Sequence, residues 1–386
     1  MRLPLPTLPR LAGLRGVGVF WAGLFVLAGA TALTVQFLGP PVASRAARPD
    51  PAQPGGRQPE AATHAAPAPA ASDHAVSDHA AIDHAAPAPT GHAASERAAP
   101  AADAPPARPG RDSAGGAIAA PDPALLEPYL DGTALPRVAA DGRTPGAVYA
   151  RGFDQSSTRP RIAVVIAGVG LNAADSEAAI RALPPEFTLA VSPYAAKPDR
   201  LLALARAGGH EFLASLPMEP QGYPLNDAGD HALLTGAPPE QNAQRLDWAL
   251  SRVQGYAGVT SALGLLRGER FAGSPTQMTP VLDELRQRGL FYIDARPNQA
   301  GPPLVWGRSV DVVIDEPATR AEIEARLAEL EQVARDKGSA VGLVGAVRPV
   351  TTDRLAQWAD GLAARGIALA PASAVVRAPA AADTAP

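Results

Sequence analysis

Apolar and polar positions divide the chain into three stretches of unlike pattern. From Gly16 to Leu38 the sequence GVGVFWAGLFVLAGATALTVQFL runs 23 residues without a charge, with Gln36 as its one notably polar side chain. About 20 apolar residues at 1.5 Å each cross a hydrocarbon core of roughly 30 Å, so this pattern predicts a transmembrane helix. From Pro40 to about Pro123 large apolar residues almost vanish and Ala, Pro, Gly, Asp, His and Arg dominate. Such a stretch cannot offset an ordering entropy of about 1–2 kcal/mol per residue, and it predicts a disordered tether. From about Arg159 onward, short apolar runs alternate with helical patterns, and here a core can form.

The expected organisation is a cytoplasmic N-terminus (1–15), a membrane span (16–38), a mostly disordered Ala/Pro-rich linker (39–158), a folded domain (159–377) and a disordered tail (378–386). Arg2, Arg10 and Arg15 precede the span, and no Lys or Arg follows until Arg45. The positive-inside rule then places the folded domain outside the cytoplasm, in the periplasm if the span lies in an inner membrane. A cleaved signal is the rival reading, with Ala28-Gly29-Ala30 as a small-residue site. The uncharged run is longer than the 7–15 residues of a signal's apolar region.

In the folded stretch, candidate strands are 162–166, 187–191, 211–216, 256–261, 290–294, 310–314, 340–344 and 367–370. They are apolar with little alternation, as buried parallel strands are. The clearest helix is 319–337, where Ile323, Leu327, Leu330 and Ala334 share one face and Gly338 follows as a stop. Further helices are expected over 243–252, 280–288 and 355–365. This order predicts an α/β protein, either a (β/α) barrel or an open doubly wound sheet, with function at the C-terminal ends of the strands.

Composition narrows the chemistry. The net charge is −4, which leaves no basic excess for nucleic acid. There is no cysteine, so thiolate catalysis and cysteine-ligated metal sites are excluded. Asp73-His74-Ala75, Asp78-His79-Ala80 and Asp83-His84-Ala85 recur in the linker, but a floppy array offers a metal no preformed geometry.

Several phrases share their order and spacing with one family. These are Ile162-Ala163-Val164-Val165-Ile166 followed by Gly170-Leu171-Asn172, and Gly209-His210-Glu211 leading to Leu216-Pro217-Met218-Glu219-Pro220. Leu233-Leu234-Thr235-Gly236, Asn242, Leu246-Asp247-Trp248, Pro280-Val281-Leu282, Arg288-Gly289-Leu290 and Gly338-Ser339-Ala340 follow. Over about Pro160 to Val376 the chain resembles the divergent polysaccharide deacetylases. The resemblance implies the irregular (β/α) barrel of the polysaccharide deacetylase type, here preceded by one transmembrane helix and a disordered linker, and carbohydrate as the ancestral ligand.

It also implies a divalent metal that activates water and polarises the acetyl carbonyl. The family's ligand positions are an Asp-Asp pair after the first strand, a His before Leu-Pro-Met, a His in an Asn-His-Met-Gly-like turn and a late Gly-His-Pro-like His. By the resemblance these fall on Ala167-Gly168, Ser215, Ala262 and Ala346, none a good ligand. His210 and His231 do not replace them: His210 precedes its strand and His231 sits in a polar loop. No cofactor or metal is therefore expected.

Candidate binding groups at strand ends are Asp294, Arg296, Glu219, Ser215 and Ser261, with Thr260 beside them and Trp306 in a loop as a sugar-stacking ring. Each has a structural alternative: an Asp–Arg pair closing the mouth, a loop-capping carboxylate, backbone-bonded hydroxyls, ordinary loop packing. Three functions compete. The first is a catalytically degenerate deacetylase that binds envelope glycan or a periplasmic protein. The second is an active hydrolase with a rearranged site around Glu219 and Asp294, and the third is an envelope scaffold. For the topology, a reporter fused after Gly39 should be active outside the cytoplasm, and the full-length chain should sediment with membranes. A shortened soluble product would establish the cleaved signal instead.

Overall fold

The structure is a computed structural model that describes residues 116–379. The expected span, most of the linker and the residues after 379 lie outside the described residues. Among the described residues no helix is long and apolar enough to cross a membrane.

The elements run β1 (Leu126–Pro128), β2 (Ala134–Pro136), α1 (Pro145–Val148), β3 (Arg161–Val169), α2 (Ala173–Ala182), β4 (Thr188–Val191), α3 (Pro198–Ala207) and β5 (Phe212–Ser215). Then come α4 (Pro239–Ser251), β6 (Gly258–Thr260), α5 (Glu269–Ala272), α6 (Pro275–Gln287), β7 (Phe291–Asp294), β8 (Gly307–Ser309) and β9 (Val312–Val313). The chain finishes with α7 (Arg320–Lys337), β10 (Ser339–Val344), α8 (Pro349–Asp360) and β11 (Ala368–Leu369). β1 and β2 form an antiparallel hairpin. All the other strands pair in parallel in the order β8-β7-β6-β5-β4-β3-β10-β9, with β11 beside the start of β3.

The two ends of that order are one piece of chain. The segment 307–314 pairs with β7 in its first half and with β10 in its second. Val310 N–H donates to Asp294 O at 2.9 Å, and the next residue, Asp311, donates to Val341 O at 2.8 Å on the other side. The curled sheet therefore joins its own edges and forms an irregular (β/α) barrel. The run expected as one strand, 310–314, is divided at this point: β8 begins earlier and serves β7, and β9 serves β10. Below Asp311 the two halves diverge, and the buried Arg308 bridges the seam. Its guanidinium donates to Ser339 Oγ (2.6 Å), Ser339 O (2.7 Å) and Asp311 Oδ2 (2.9 Å).

Strand alternation sorts the core into two layers. Ile162, Val164 and Ile166 of β3 pack outward with Ile180 of α2, Leu202 of α3 and Leu327 of α7. Ala163, Val165 and Ala167 face inward with Leu213, Phe291, Ile293, Val310 and Leu343. Thr319 caps α7 by accepting from Glu322 N–H, and Gly338 ends it at φ 76°, a conformation a Cβ disfavours. α2 and α3 were not legible from periodicity. α2 buries Ser176, Ala179 and Ile180, a stripe with little contrast to the alanines around it.

The expected linker boundary at 158 is corrected by the structure. Residues 118–150 are folded beneath the barrel: Ile118, Leu125, Tyr149 and Ala150 are buried with the inner layer. Ile118 N–H donates to Arg206 O, and Asp122 N–H to Tyr149 Oη. These anchors are too sparse for either period, so composition alone hid them. At this strand-start end Glu211 is fully buried. It accepts from Arg151 N–H (3.1 Å), Ser373 N–H (3.1 Å) and Thr188 Oγ1 (3.3 Å).

Burial raises the Glu211 pKa above its ordinary 4.5, against the lowering effect of these donors. The folded state then holds a proton that the unfolded chain has released. The associated stability is complete below pH 4.5 and is lost as pH rises through the folded-state value. Glu211→Gln lacks this titration, so the melting-temperature difference between the variant and wild type should shift in the variant's favour as pH rises from about 4.5. Parallel melting curves across that range would refute the assignment.

Candidate functional site at the barrel mouth

In a ring of parallel strands the loops after the strands form one rim. Three of these loops meet at the centre of the rim by backbone contact. They are the end of β3 with the turn after it (Ala167–Leu171), the loop after β6 (Ser261–Leu265) and the loop after β10 (Gly345–Ala346). Gly168, at φ +74°, has space for a Cβ only at 3.4 Å from Gly264 Cα and 3.4 Å from Gly345 O. Leu171 Cδ1 lies over Gly168 and Gly264, and Leu265 Cδ2 over Gly345. Leu171 and Leu265 are among the exposed large apolar side chains, 56% and 46% accessible. The centre of the mouth is thus glycine backbone under two leucines.

One carboxylate supports this centre from below. Asp315, just after β9, is buried, and its two oxygens accept from Gly345 N–H (2.8 Å) and Ala346 N–H (3.1 Å). Arg348 Nη1 lies 3.6 Å away. Burial raises the Asp315 pKa, opposed by the two N–H groups. Sequence reasoning missed Asp315. Its signal was its place directly after a strand of apolar residues, at the end where function was sought.

The four positions that the resemblance assigns to metal ligands surround this centre. Ala167, Ser215 and Ala262 are fully buried, and Ala346 is half-buried. Ser215 shares the inner face with Leu213, and its Oγ meets no hydrogen-bond partner among the described residues. Its register partner Thr260 accepts from Ala262 N–H at 3.2 Å. Among the described residues, no three His, Asp or Glu side chains converge where they could hold a metal ion. The residues present do not fit a divalent ion at this mouth.

Of the remaining candidates, Asp294, Arg296 and Ser261 are brought together at the end of β7. Asp294 and Ser261 lie on the outer side of the ring, one strand apart. Asp294 shares the face of Tyr292, whose ring packs in the outer layer. Its carboxylate is clamped by Arg296, which donates from Nε (3.0 Å), Nη2 (2.6 Å) and its own backbone N–H (2.9 Å). This pairing raises the Arg296 pKa. Ser261 Oγ accepts from Ala295 N–H at 3.0 Å.

Glu219 is buried. Its Oε2 accepts from Thr235 N–H (2.6 Å) and Thr235 Oγ1 (2.7 Å), and its Oε1 pairs with Arg270 (3.0 Å). It closes a loop. Trp306 lies at the other end of the barrel. Its carbonyl accepts from Tyr292 N–H at the start of β7 and β8, and its ring packs against the inner layer.

His210, below the ring, has Nδ1 3.0 Å from Phe187 O and Nε2 3.1 Å from Ile180 O, and it ties β5 to its neighbours. His231 stacks on Trp248 at 3.7 Å in the loop after β5.

A ring of parallel strands wrapped by helices, with its loops meeting at the strand ends, defines a (β/α)-barrel protein. The model of the divergent polysaccharide deacetylases matches residues 164–376, and the chain belongs to that family. An uncharacterized protein of Haemophilus influenzae is 27% identical over 204 residues, covering 51% of this chain and 70% of its own.

The crystal structure of an uncharacterized protein from Agrobacterium tumefaciens C58 is 33% identical, with a TM-score of 0.59. It covers 63% of this chain and 100% of its own. A family 4 carbohydrate esterase from Streptomyces lividans, solved with acetate, is a remote likeness at 13% identity and TM-score 0.33. It covers 55% of this chain and 97% of that one.

The glycine-centred mouth generates a test. Gly168→Ala places a side chain at positive φ, a cost of about 1–2 kcal/mol, while its Cβ would meet Gly264 Cα and Gly345 O at an ordinary contact distance of 3.4 Å. Chemical unfolding should show a loss of about that size, and an unchanged midpoint would refute the left-handed conformation at Gly168.

Proposed function

We propose that this protein is a membrane-anchored, periplasmic member of its family that binds envelope glycan without metal-assisted deacetylation. The observation that carries this reading is the mouth itself. The positions that the resemblance gives to ligands are Ala167, Gly168, Ser215, Ala262 and Ala346, and the loops that bear most of them approach one another at Gly168, Gly264 and Gly345. Metal-assisted hydrolysis needs about three side chains converging on one ion. Alanine and glycine offer none, and a serine hydroxyl is neutral at pH 7 and a poor ligand.

The chain's retained engineering points the same way. Asp315, Glu219 and Asp294 are each engaged in fixing a loop, through backbone N–H groups, Thr235 and Arg296 respectively. A metal-free hydrolase would need one of these carboxylates facing substrate with a lone pair to accept a proton. The anchor is the uncharged run Gly16–Leu38, with its preceding arginines.

The purified full-length chain in detergent should bind no zinc, nickel or cobalt stoichiometrically and release no acetate from N-acetylglucosamine oligomers. Calorimetric titration and an acetate assay check this together. One tight metal site per chain, or acetate release abolished by a chelator, would restore the enzyme.

A further inference from the structure

The connection from β7 to β8, residues 295–306, contains no helix. The flank of the barrel beside β8 therefore lacks an outer layer, and a cleft of about 460 Å³ opens there, next to the Arg308 seam. This is within the range of small-molecule sites, roughly 300–1,000 Å³. Its walls include Asn298, Gln299, Arg308, Asp311, Lys337 and Arg377.

Three cations face one carboxylate in this cleft, and the carboxylate is already engaged. Asp311 accepts from Arg308 (2.9 Å) and Val341 N–H (2.9 Å) through Oδ2 and from Lys337 (3.3 Å) through Oδ1. Arg308 is held by Ser339 as well. Burial lowers the Arg308 pKa, and so does the like charge of Arg377, against the opposing charge of Asp311; with three cations and one carboxylate along its walls, the cleft has a positive balance.

Arg377 is fixed at its backbone by a reciprocal pair with Gly307, N–H to O at 3.0 Å and 2.9 Å. Its exposed guanidinium has no partner among the described residues. A guanidinium with a fixed backbone and a free fork suits bidentate recognition of a carboxylate. The Asn298 amide donates to Asp311 O at 3.5 Å and the Gln299 amide to Pro297 O at 3.0 Å, which leaves each a second N–H and a carbonyl oxygen for ring hydroxyls.

We infer that this cleft binds an acidic saccharide of one or two rings. Arg377 and Lys337 hold its carboxylate, and Asn298 and Gln299 meet its hydroxyls. The inference rests on the glycan-binding reading for its ligand class, but it places the binding on the flank of the barrel rather than at the mouth.

The test titrates the full-length protein in detergent, at low ionic strength, with N-acetylmuramic acid, N-acetylglucosamine and inorganic phosphate in turn. The first two share a ring and differ by one carboxylate-bearing substituent. N-acetylmuramic acid should bind about tenfold more tightly than N-acetylglucosamine, and its affinity should fall as salt screens the pair. Arg377→Ala should weaken it about fivefold or more with an unchanged melting temperature, and Arg377→Lys should recover part of the loss.

If Arg377→Ala also lowers the melting temperature, Lys337→Gln provides the same comparison from the other cation. Equal affinity for the two sugars, phosphate binding as tightly as the acidic sugar, or indifference to both substitutions would overturn the assignment. Saccharide binding that persists in the Arg377 and Lys337 variants would overturn the cleft alone and leave the glycan reading standing. Absence of any saccharide binding would remove both.

Discussion

Everything in this domain depends on the closure of a parallel sheet upon itself. Parallel strands leave unpaired backbone groups at both edges, and an open edge is both unstable and adhesive. Here one short segment supplies both edges. Val310 turns its N–H to β7 and Asp311 turns its N–H to β10, so two neighbouring peptide groups join the ends of the ring. Where the segment cannot reach both sides, Arg308 takes over and satisfies Ser339 O with its guanidinium. The curvature this imposes fixes the inner face. That face mixes small residues such as Ala163, Ala190, Val165 and Val341 with the larger Leu213, Phe291 and Leu343.

The same closure decides what the mouth can hold. Gly168, Gly264 and Gly345 approach because none has a side chain to separate the loops that bear them. Alanine and glycine at these positions offer an ion no ligand, and a Cβ at Gly168 would meet the neighbouring loops at 3.4 Å. Ser215, buried beside its register partner Thr260 and without a hydrogen-bond partner among the described residues, is one of the polar groups that face that interior. It is a costly remnant by the usual reckoning of about 1–3 kcal/mol for an unpaired buried group.

Much of the fold was legible in the sequence because buried parallel strands are written as apolar runs. Seven of the eight expected strands match observed ones, from β3 to β11, and Thr319 and Gly338 mark the ends of α7 as read. What failed did so for identifiable reasons. The segment 118–150 uses isolated anchors such as Leu125 and Tyr149, which no periodicity exposes. α2 hides its buried stripe among alanines. The division of 310–314 between two partners depends on pairing, which a single sequence does not record.

The site was less legible than the fold. Glu219, Asp294 and Arg296 were correctly placed near strand ends, but their partners Thr235 and Arg270, and the mutual clamp of Asp294 with Arg296, are matters of geometry. Trp306 was misplaced because a loop between strands can return to either end of a barrel.

The described chain enters beside Gly209, where Gly116 O lies against the start of β5, at the end of the barrel opposite the mouth. Any pull exerted through the preceding residues is therefore received by the strand-start end. The first bond in the load path is Ile118 N–H to Arg206 O, followed by the Asp122–Tyr149 contact. The segment 118–150 thus stands between the entering chain and the ring, so a pull on it loads these contacts before it loads β3.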